Sequence, residues 1–352
     1  MRARDWGMIG ANVAAGRSVS EGVTRDAVGE TDTVAFGARG AEAALDPDCA
    51  VIAEGGGQRG IYTAGVLDAF LEAGFDPFGQ ALGVSAGAQN LLAFCLRRHG
   101  YARRAIAELT AAQDFYVPYR WLGAKGVIDL DGYFAHTLEH PDYLLPYADL
   151  PRLVGRRRIT FVATERDSLE PRYLEPGPAD ALACMKASSA VPLLYRSGVR
   201  VGDEVLIDGG VADPIPARRA FEAGARRVLV VRTTDVSAEL SSWSLRLARF
   251  RRVGALPASV ERLLARHERA HAEALCALEH PPEGVEVVQL VPSRPLLSRV
   301  FGSRSEALAH DYATGLADGA RAARELAPWT RGEPAAVPVA ARPDDGQRPA
   351  PV

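Results

Sequence analysis

Short apolar runs alternate along the chain with longer stretches in which apolar side chains recur every three or four positions. Six of the short runs have strand character. They are Cys49-Ala50-Val51-Ile52-Ala53-Glu54, Ala81-Leu82-Gly83-Val84, Arg158-Ile159-Thr160-Phe161-Val162-Ala163, Val205-Leu206-Ile207, Arg227-Val228-Leu229-Val230-Val231 and Val285-Glu286-Val287-Val288-Gln289-Leu290. Between the first two, Ile61, Ala64, Gly65, Leu67, Asp68 and Leu71 mark a helix that stops at Gly74. Ala86 to Arg98 is the helix behind the second strand. Apolar strands separated by helices predict an α/β fold. A mainly parallel sheet carries helices on both faces, in three α/β/α layers, and the C-terminal part is helical.

The chain has 352 residues, 47% of them apolar, enough for one large α/β domain. Residues 1–47 are rich in Gly, Ala, Thr and Asp without sustained periodicity and are expected to be disordered. Residues 328–352 form a Pro/Ala-rich tail, and residues 236–327 a helical extension with one further strand, packed on the same body. A net charge of −3 offers no overall attraction to nucleic acid. The four cysteines, Cys49, Cys95, Cys184 and Cys276, are scattered, which suits buried thiols in a reducing compartment and no metal site. No stretch approaches the ~20 apolar residues of a membrane span, and no signal-peptide core opens the chain. A cytoplasmic protein is expected, with a peripheral membrane contact left open.

Chemistry concentrates at the strand ends. Ser85 sits in Gly83-Val84-Ser85-Ala86-Gly87, the G-x-S-x-G form of a nucleophile elbow, at a strand-to-helix joint. Gly55-Gly56-Gly57-Gln58-Arg59-Gly60 occupies the preceding joint. It fits an anion cradle of backbone N–H groups, a dinucleotide fingerprint, or a plain tight turn. A dinucleotide fingerprint wants an acidic residue at the end of the next strand. Here that strand ends on the serine, and Asp76 lies in the turn before it. Asp208-Gly209-Gly210 ends a further strand. If all these strands are parallel, right-handed crossovers bring the three motifs to one carboxyl edge.

In order and spacing the three segments resemble the patatin-like acyl hydrolase (phospholipase) family, marked by a G-G-G-x-R/K-G loop, a G-x-S-x-G elbow and a D-G-G/A aspartate. Lys186-Ala187-Ser188-Ser189-Ala190-Val191-Pro192 adds to the likeness, which covers roughly residues 50–235 and implies a catalytic domain over 48–235. The resemblance implies a serine acyl hydrolase that cleaves lipid or other carboxylic esters without metal or cofactor. Ser85 would be the nucleophile and Asp208 its base. Backbone N–H groups of Gly56 and Gly57 would line the oxyanion hole with Arg59 beside them, while Gly55, Gly60, Gly83, Gly87, Gly209 and Gly210 shape the three motifs.

The residues leave alternatives open. An α/β-hydrolase triad runs Ser…Asp…His, and His267, His271, His280 and His310 all follow Asp208. Against this, His267 and His271 read as part of a solvated basic face with Arg262, Arg266 and Arg269. His280 precedes two prolines, and His310 lies in an Ala-rich helix. A non-catalytic protein whose glycine loops hold an anion or nucleotide is the third possibility. Arg59 also fits a solvent-facing first-turn residue. The Arg-rich stretch from Leu245 to Leu278 predicts amphipathic helices with arginines in solvent, or a face that meets anionic headgroups.

Overall fold

The computed structural model describes residues 45–112, 115–117, 126–155, 157–233 and 257–333. Most of the segment expected to be disordered, the stretch from Leu245 to residue 256 and the tail beyond 333 lie outside these residues. The strands are β1 Asp46–Ala53, β2 Phe78–Val84, β3 Arg158–Glu165, β4 Pro171–Leu174, β5 Val199–Val201, β6 Glu204–Asp208, β7 Arg227–Val231 and β8 Glu286–Leu290. The helices are α1 Gly60–Ala73, α2 Ala86–Cys95, α3 Tyr101–Arg104, α4 Leu130–Glu139, α5 Leu150–Val154, α6 Ala181–Ser188, α7 Ala217–Glu222, α8 Ala258–Glu279 and α9 Ser305–Glu325. The helix expected to reach Arg98 ends at Cys95, because Arg97 turns into the left-handed region at φ 53°. β4 and β5 are short and half-exposed, so no apolar run announces them.

One sheet organises the body. β1 lies between β2 and β7, β3 follows β2 and β8 follows β7, all parallel. β1 feeds both layers, as alternation along a strand requires. Ala50 and Ile52 join Ile215, Ala217, Ala220, Ala274 and Leu278 of the α7 and α8 side. Val51 and Ala53 join the larger core with Ile61, Val66, Leu92 and Tyr312 of α1, α2 and α9.

The antiparallel strands depart from the parallel rule. β4 pairs with β3 across Phe161–Thr164, so it occupies one edge of β3. On the other edge β2 pairs as far as Val162, and β6 takes over antiparallel from Ala163, opposite Asp208. β2 and β6 therefore run toward each other along one edge of β3. Asp208 is delivered by an antiparallel strand, not by the parallel crossover that the sequence suggested.

The C-terminal region is built into this body. α9 lies along α1 at backbone distance: Gly315 meets the Tyr62 carbonyl, and a Cβ on Gly319 would sit 2.7 Å from the Val66 oxygen. Two tyrosine–aspartate bonds cross the same seam, Tyr62 Oη to Asp318 at 3.2 Å and Tyr312 Oη to Asp68 at 2.8 Å. The chain remains in the fold through a short turn, Ala327–Arg331, that buries Trp329 completely. Cys49, Cys95 and Cys184 are buried, but Cys276 is exposed on α8, against the expectation for all four. No helix among the described residues is long and apolar enough to cross a membrane.

Candidate active site

β2 carries the chain to Val84, and Ser85 turns it sharply into α2 at φ 54°, ψ −123°. A non-glycine residue at positive φ is strained, and here the tight joint over-determines it. A Cβ on Gly83 would lie 2.5 Å from Ala88 Cα, and one on Gly87 2.7 Å from the Glu54 oxygen. The first turn of α2 thus sits directly on the end of β1. Side-chain bonds fix the elbow from the other side. Ser188 Oγ accepts the Ser85 N–H at 2.9 Å and donates to the Val162 carbonyl at 2.6 Å.

The glycine loop lies against this elbow. A Cβ on Gly55 would be 3.3 Å from Ser85 Cβ, and one on Gly60 3.0 Å from Ala86 Cβ. Gly56 and Gly57 have φ of 148° and 58°, values that a side chain would strain. Among the described residues neither the Gly56 nor the Gly57 N–H meets a backbone acceptor, whereas the Gln58 N–H bonds the Val300 carbonyl at 2.9 Å. Arg59 caps α1, half-buried, with its Cβ 3.5 Å from the position a Gly56 Cβ would take.

A buried polar cluster lies under the loop. Glu54 accepts the Thr233 N–H at 2.7 Å and Arg232 Nε at 3.2 Å, and the Thr233 hydroxyl donates to the Gly55 carbonyl. Arg232 is fully buried and also bonds Gln289 at 2.8 Å.

Asp208 meets the elbow because β2 and β6 converge. Its N–H bonds the Ala190 carbonyl at 3.0 Å, and its carbonyl accepts Thr164 Oγ1 at 2.8 Å. Its Oδ1 accepts the Gly210 N–H at 2.8 Å. Gly209 packs flat on the Val162 carbonyl. The other carboxylate oxygen, Oδ2, is buried and completes no hydrogen bond of normal geometry. Burial pushes the Asp208 carboxyl up to about 6, against the opposing pull of the Gly210 N–H and the Ser85 hydroxyl. A carboxylate with one free oxygen beside a serine, kept from water, is a competent proton acceptor.

The histidines divide. His267 is not on a solvated face: its Nδ1 meets the Gly210 carbonyl at 2.6 Å, and α8 packs on the turn after Asp208. Arg262 and Arg266 of the same helix reach the Asp167 and Leu169 carbonyls of the β3–β4 turn, so they are not simply solvated either. His280 is exposed near Cys276, and His310 pairs with Asp311 at 3.0 Å. No histidine is among the groups that shift Asp208. The dinucleotide alternative loses its acid, since Asp76 is buried in an ion pair with Arg157 at 2.6 Å.

Sequence reasoning missed Thr233, Arg232, the Val300 loop and the contacts of Gln58, and it weighed His267 but placed it on a solvated face, because the partners of all these residues are distant in the chain. Ser188 did carry a signal, lying inside the Lys186–Pro192 stretch.

The profile of the patatin-like phospholipase family matches residues 51–221, and YjjU of Escherichia coli K12, an uncharacterized protein, is 36% identical over 291 residues. The chain belongs to the patatin-like phospholipase family. The aligned residues are 80% of this chain and 81% of YjjU. Beyond the patatin-like domain, residues 258–331 match a domain of unknown function, DUF6363, which begins with α8 and ends in the Trp329 turn. Among solved structures the chain is similar to VipD from Legionella pneumophila, with 13% identity, TM-score 0.40, and 79% of this chain and 67% of that one covered. It is also similar to human GIVD cytosolic phospholipase A2, with 12% identity, TM-score 0.39, and 81% of this chain covered. The chain spans 59% of the length of that human structure.

Proposed function

We propose that this patatin-like protein is a serine acyl hydrolase acting on carboxylic esters of lipids through Ser85 and Asp208. The observation that carries it is the convergence of β2 and β6 on one edge of β3, which leaves a buried carboxylate oxygen beside an elbow serine. Ser85 Oγ attacks the acyl carbonyl while Asp208 takes its proton. The carbonyl electrons move onto oxygen, and the Gly56 and Gly57 N–H groups stabilise the charge. The carbonyl re-forms as the alcohol leaves with the proton from Asp208, giving an acyl-Ser85 ester. Water then attacks that ester, with Asp208 again accepting a proton and returning it to Ser85. Arg59, at the start of α1, adds positive charge near the loop. The lipid substrate class comes from family membership.

A fluorophosphonate probe and a nitrophenyl ester test the assignment together. The wild-type protein is expected to be labelled and to hydrolyse the ester, and Ser85→Ala to do neither while keeping its circular dichroism spectrum. Asp208→Asn should lose turnover about as completely, since an amide cannot accept the proton. A triad is the second possibility, favoured only by His267 touching the Asp208 turn. His267→Gln is expected to stay within a few-fold of wild type; a folded but dead variant would replace the dyad with a triad.

A peripheral contact with anionic headgroups through the Arg-rich stretch belongs to the same proposal. Vesicle co-sedimentation should weaken with salt and strengthen with anionic lipid, each cation contributing about 1 kcal/mol. Indifference to both retires it.

A further inference from the structure

The oxyanion turn is gripped from outside the patatin-like domain. Gln58, at its centre, is 2% exposed. Its N–H donates to the Val300 carbonyl at 2.9 Å, and its Oε1 accepts the Ser303 N–H at 2.8 Å. Its Nε2 bonds within the patatin-like domain, on the Thr110 carbonyl and hydroxyl, both at 3.1 Å, and its carbonyl accepts the Gly60 N–H. Gly57 packs flat against Val300, where a Cβ would lie 3.0 Å from Val300 Cγ1.

The loop that grips is itself built. Asp311 of α9, fully buried, accepts the Leu297 N–H at 3.0 Å, the Ser298 N–H at 2.8 Å and the Ser298 hydroxyl. Ser303 Oγ accepts the Arg299 N–H at 2.9 Å and closes the loop. Phe301 stacks on Tyr116 with ring centres 5.6 Å apart. A buried carboxylate held by three loop donors, with the His310 ring also against it at 3.0 Å, is a rigid anchor, because loosening it would cost the hydrogen bonds of a buried charge. Rigid bonds thus run from α9 through residues 297–303 to the peptide that follows Gly57.

We propose that this part of the domain of unknown function is a clamp that holds the Gly56 and Gly57 N–H groups in register with Ser85, with Gln58 the positioning residue it grips. The proposal rests on Ser85 being the nucleophile. Donors aimed at an oxyanion act in the transition state and not on the bound ester. A loosened clamp therefore lowers kcat and leaves KM alone. Losing one donor outright costs about 10²–10³ in kcat, so a misaimed pair should cost about tenfold to a hundredfold.

The test uses the full chain with Gln58→Met, Asp311→Asn and, as a control on the exposed first turn of α9, Glu306→Gln. Turnover of a nitrophenyl ester, the rate of Ser85 phosphonylation by a fluorophosphonate, the melting temperature and the number of titratable sites are measured for each. Gln58→Met and Asp311→Asn should lower kcat and the phosphonylation rate by the same factor, with KM within about twofold of wild type, while Glu306→Gln changes neither. Folded variants with unchanged rates, or losses explained wholly by fewer titratable sites, overturn the clamp. If Asp311→Asn does not fold, Gln58→Met decides. Should the wild-type protein resist the probe, the hydrolase assignment falls and the clamp with it. Labelling that Ser85→Ala abolishes but the clamp variants leave untouched removes the clamp alone.

Discussion

Asp208 trades stability for basicity. Burial lifts its carboxyl to about 6, so it ionises as pH rises through that value. Hydrolysis should therefore show an acid limb near 6. A histidine base of ordinary pKa near ~6.5 would place the limb almost in the same position, so substitutions and not the profile separate dyad from triad. The shift has a second consequence. Between the unfolded value near ~4 and the folded value, the native state holds the proton more tightly than the unfolded chain, so stability falls as pH rises through that window. The effect reaches on the order of 3 kcal/mol by neutral pH. Asp208→Asn never carries the buried charge. Its melting temperature should exceed that of wild type by a margin that grows from pH 4 to pH 8; a margin independent of pH would contradict the burial. Asp213, also raised to about 6 by burial, is present in both proteins and cancels in the comparison.

At the scale of elements, the seams are set by missing side chains. α1 and α9 touch at Gly65, Gly315 and Gly319, and the Gly315 position faces the Tyr62 carbonyl directly. Gly315→Ala must push the helices apart and should cost about 1–3 kcal/mol in urea unfolding with an unchanged slope. Gly74→Ala is the contrast. It closes α1 at φ 64° with open space around it, so it should cost only about 1–2 kcal/mol, through backbone strain and not collision. Equal losses with no shift in the α1–α9 seam would argue against close packing. α8 serves two ends of the molecule, its Ala274 and Leu278 lying in the sheet core and its His267 on the turn after Asp208.

At the scale of the whole molecule, residues 258–331 are part of the same folded body as the patatin-like domain. They supply β8 at the sheet edge, the helix along α1, the buried Trp329 and the loop against Gln58. A chain cut after residue 256 would bare the apolar face of α1 and the edge of β7. It is expected to aggregate, with no cooperative melting transition and no fluorophosphonate labelling. A truncated protein that elutes as a folded, labelled monomer would show the region to be dispensable.

Much of this was legible in the residues themselves. Strand and helix periodicity, the stops at Gly74 and at the elbow, and the order of the three motifs are local, because they depend on backbone preferences within a few positions. Ser85, Asp208 and the glycine loop stood out for that reason. Strand direction is not local. The run Val205-Leu206-Ile207 has the same pattern whether it pairs parallel or antiparallel, and only its pairing with Ala163–Glu165 shows that it meets β2 head-on. His267 looked solvated because its neighbours are arginines, while the Gly210 carbonyl it contacts lies far away in sequence. The grip of Val300 and Ser303 on Gln58 joins residues more than two hundred positions apart. A carbonyl or amide leaves no mark in composition, so these contacts exist only once the chain has folded and its buried polar groups must find partners.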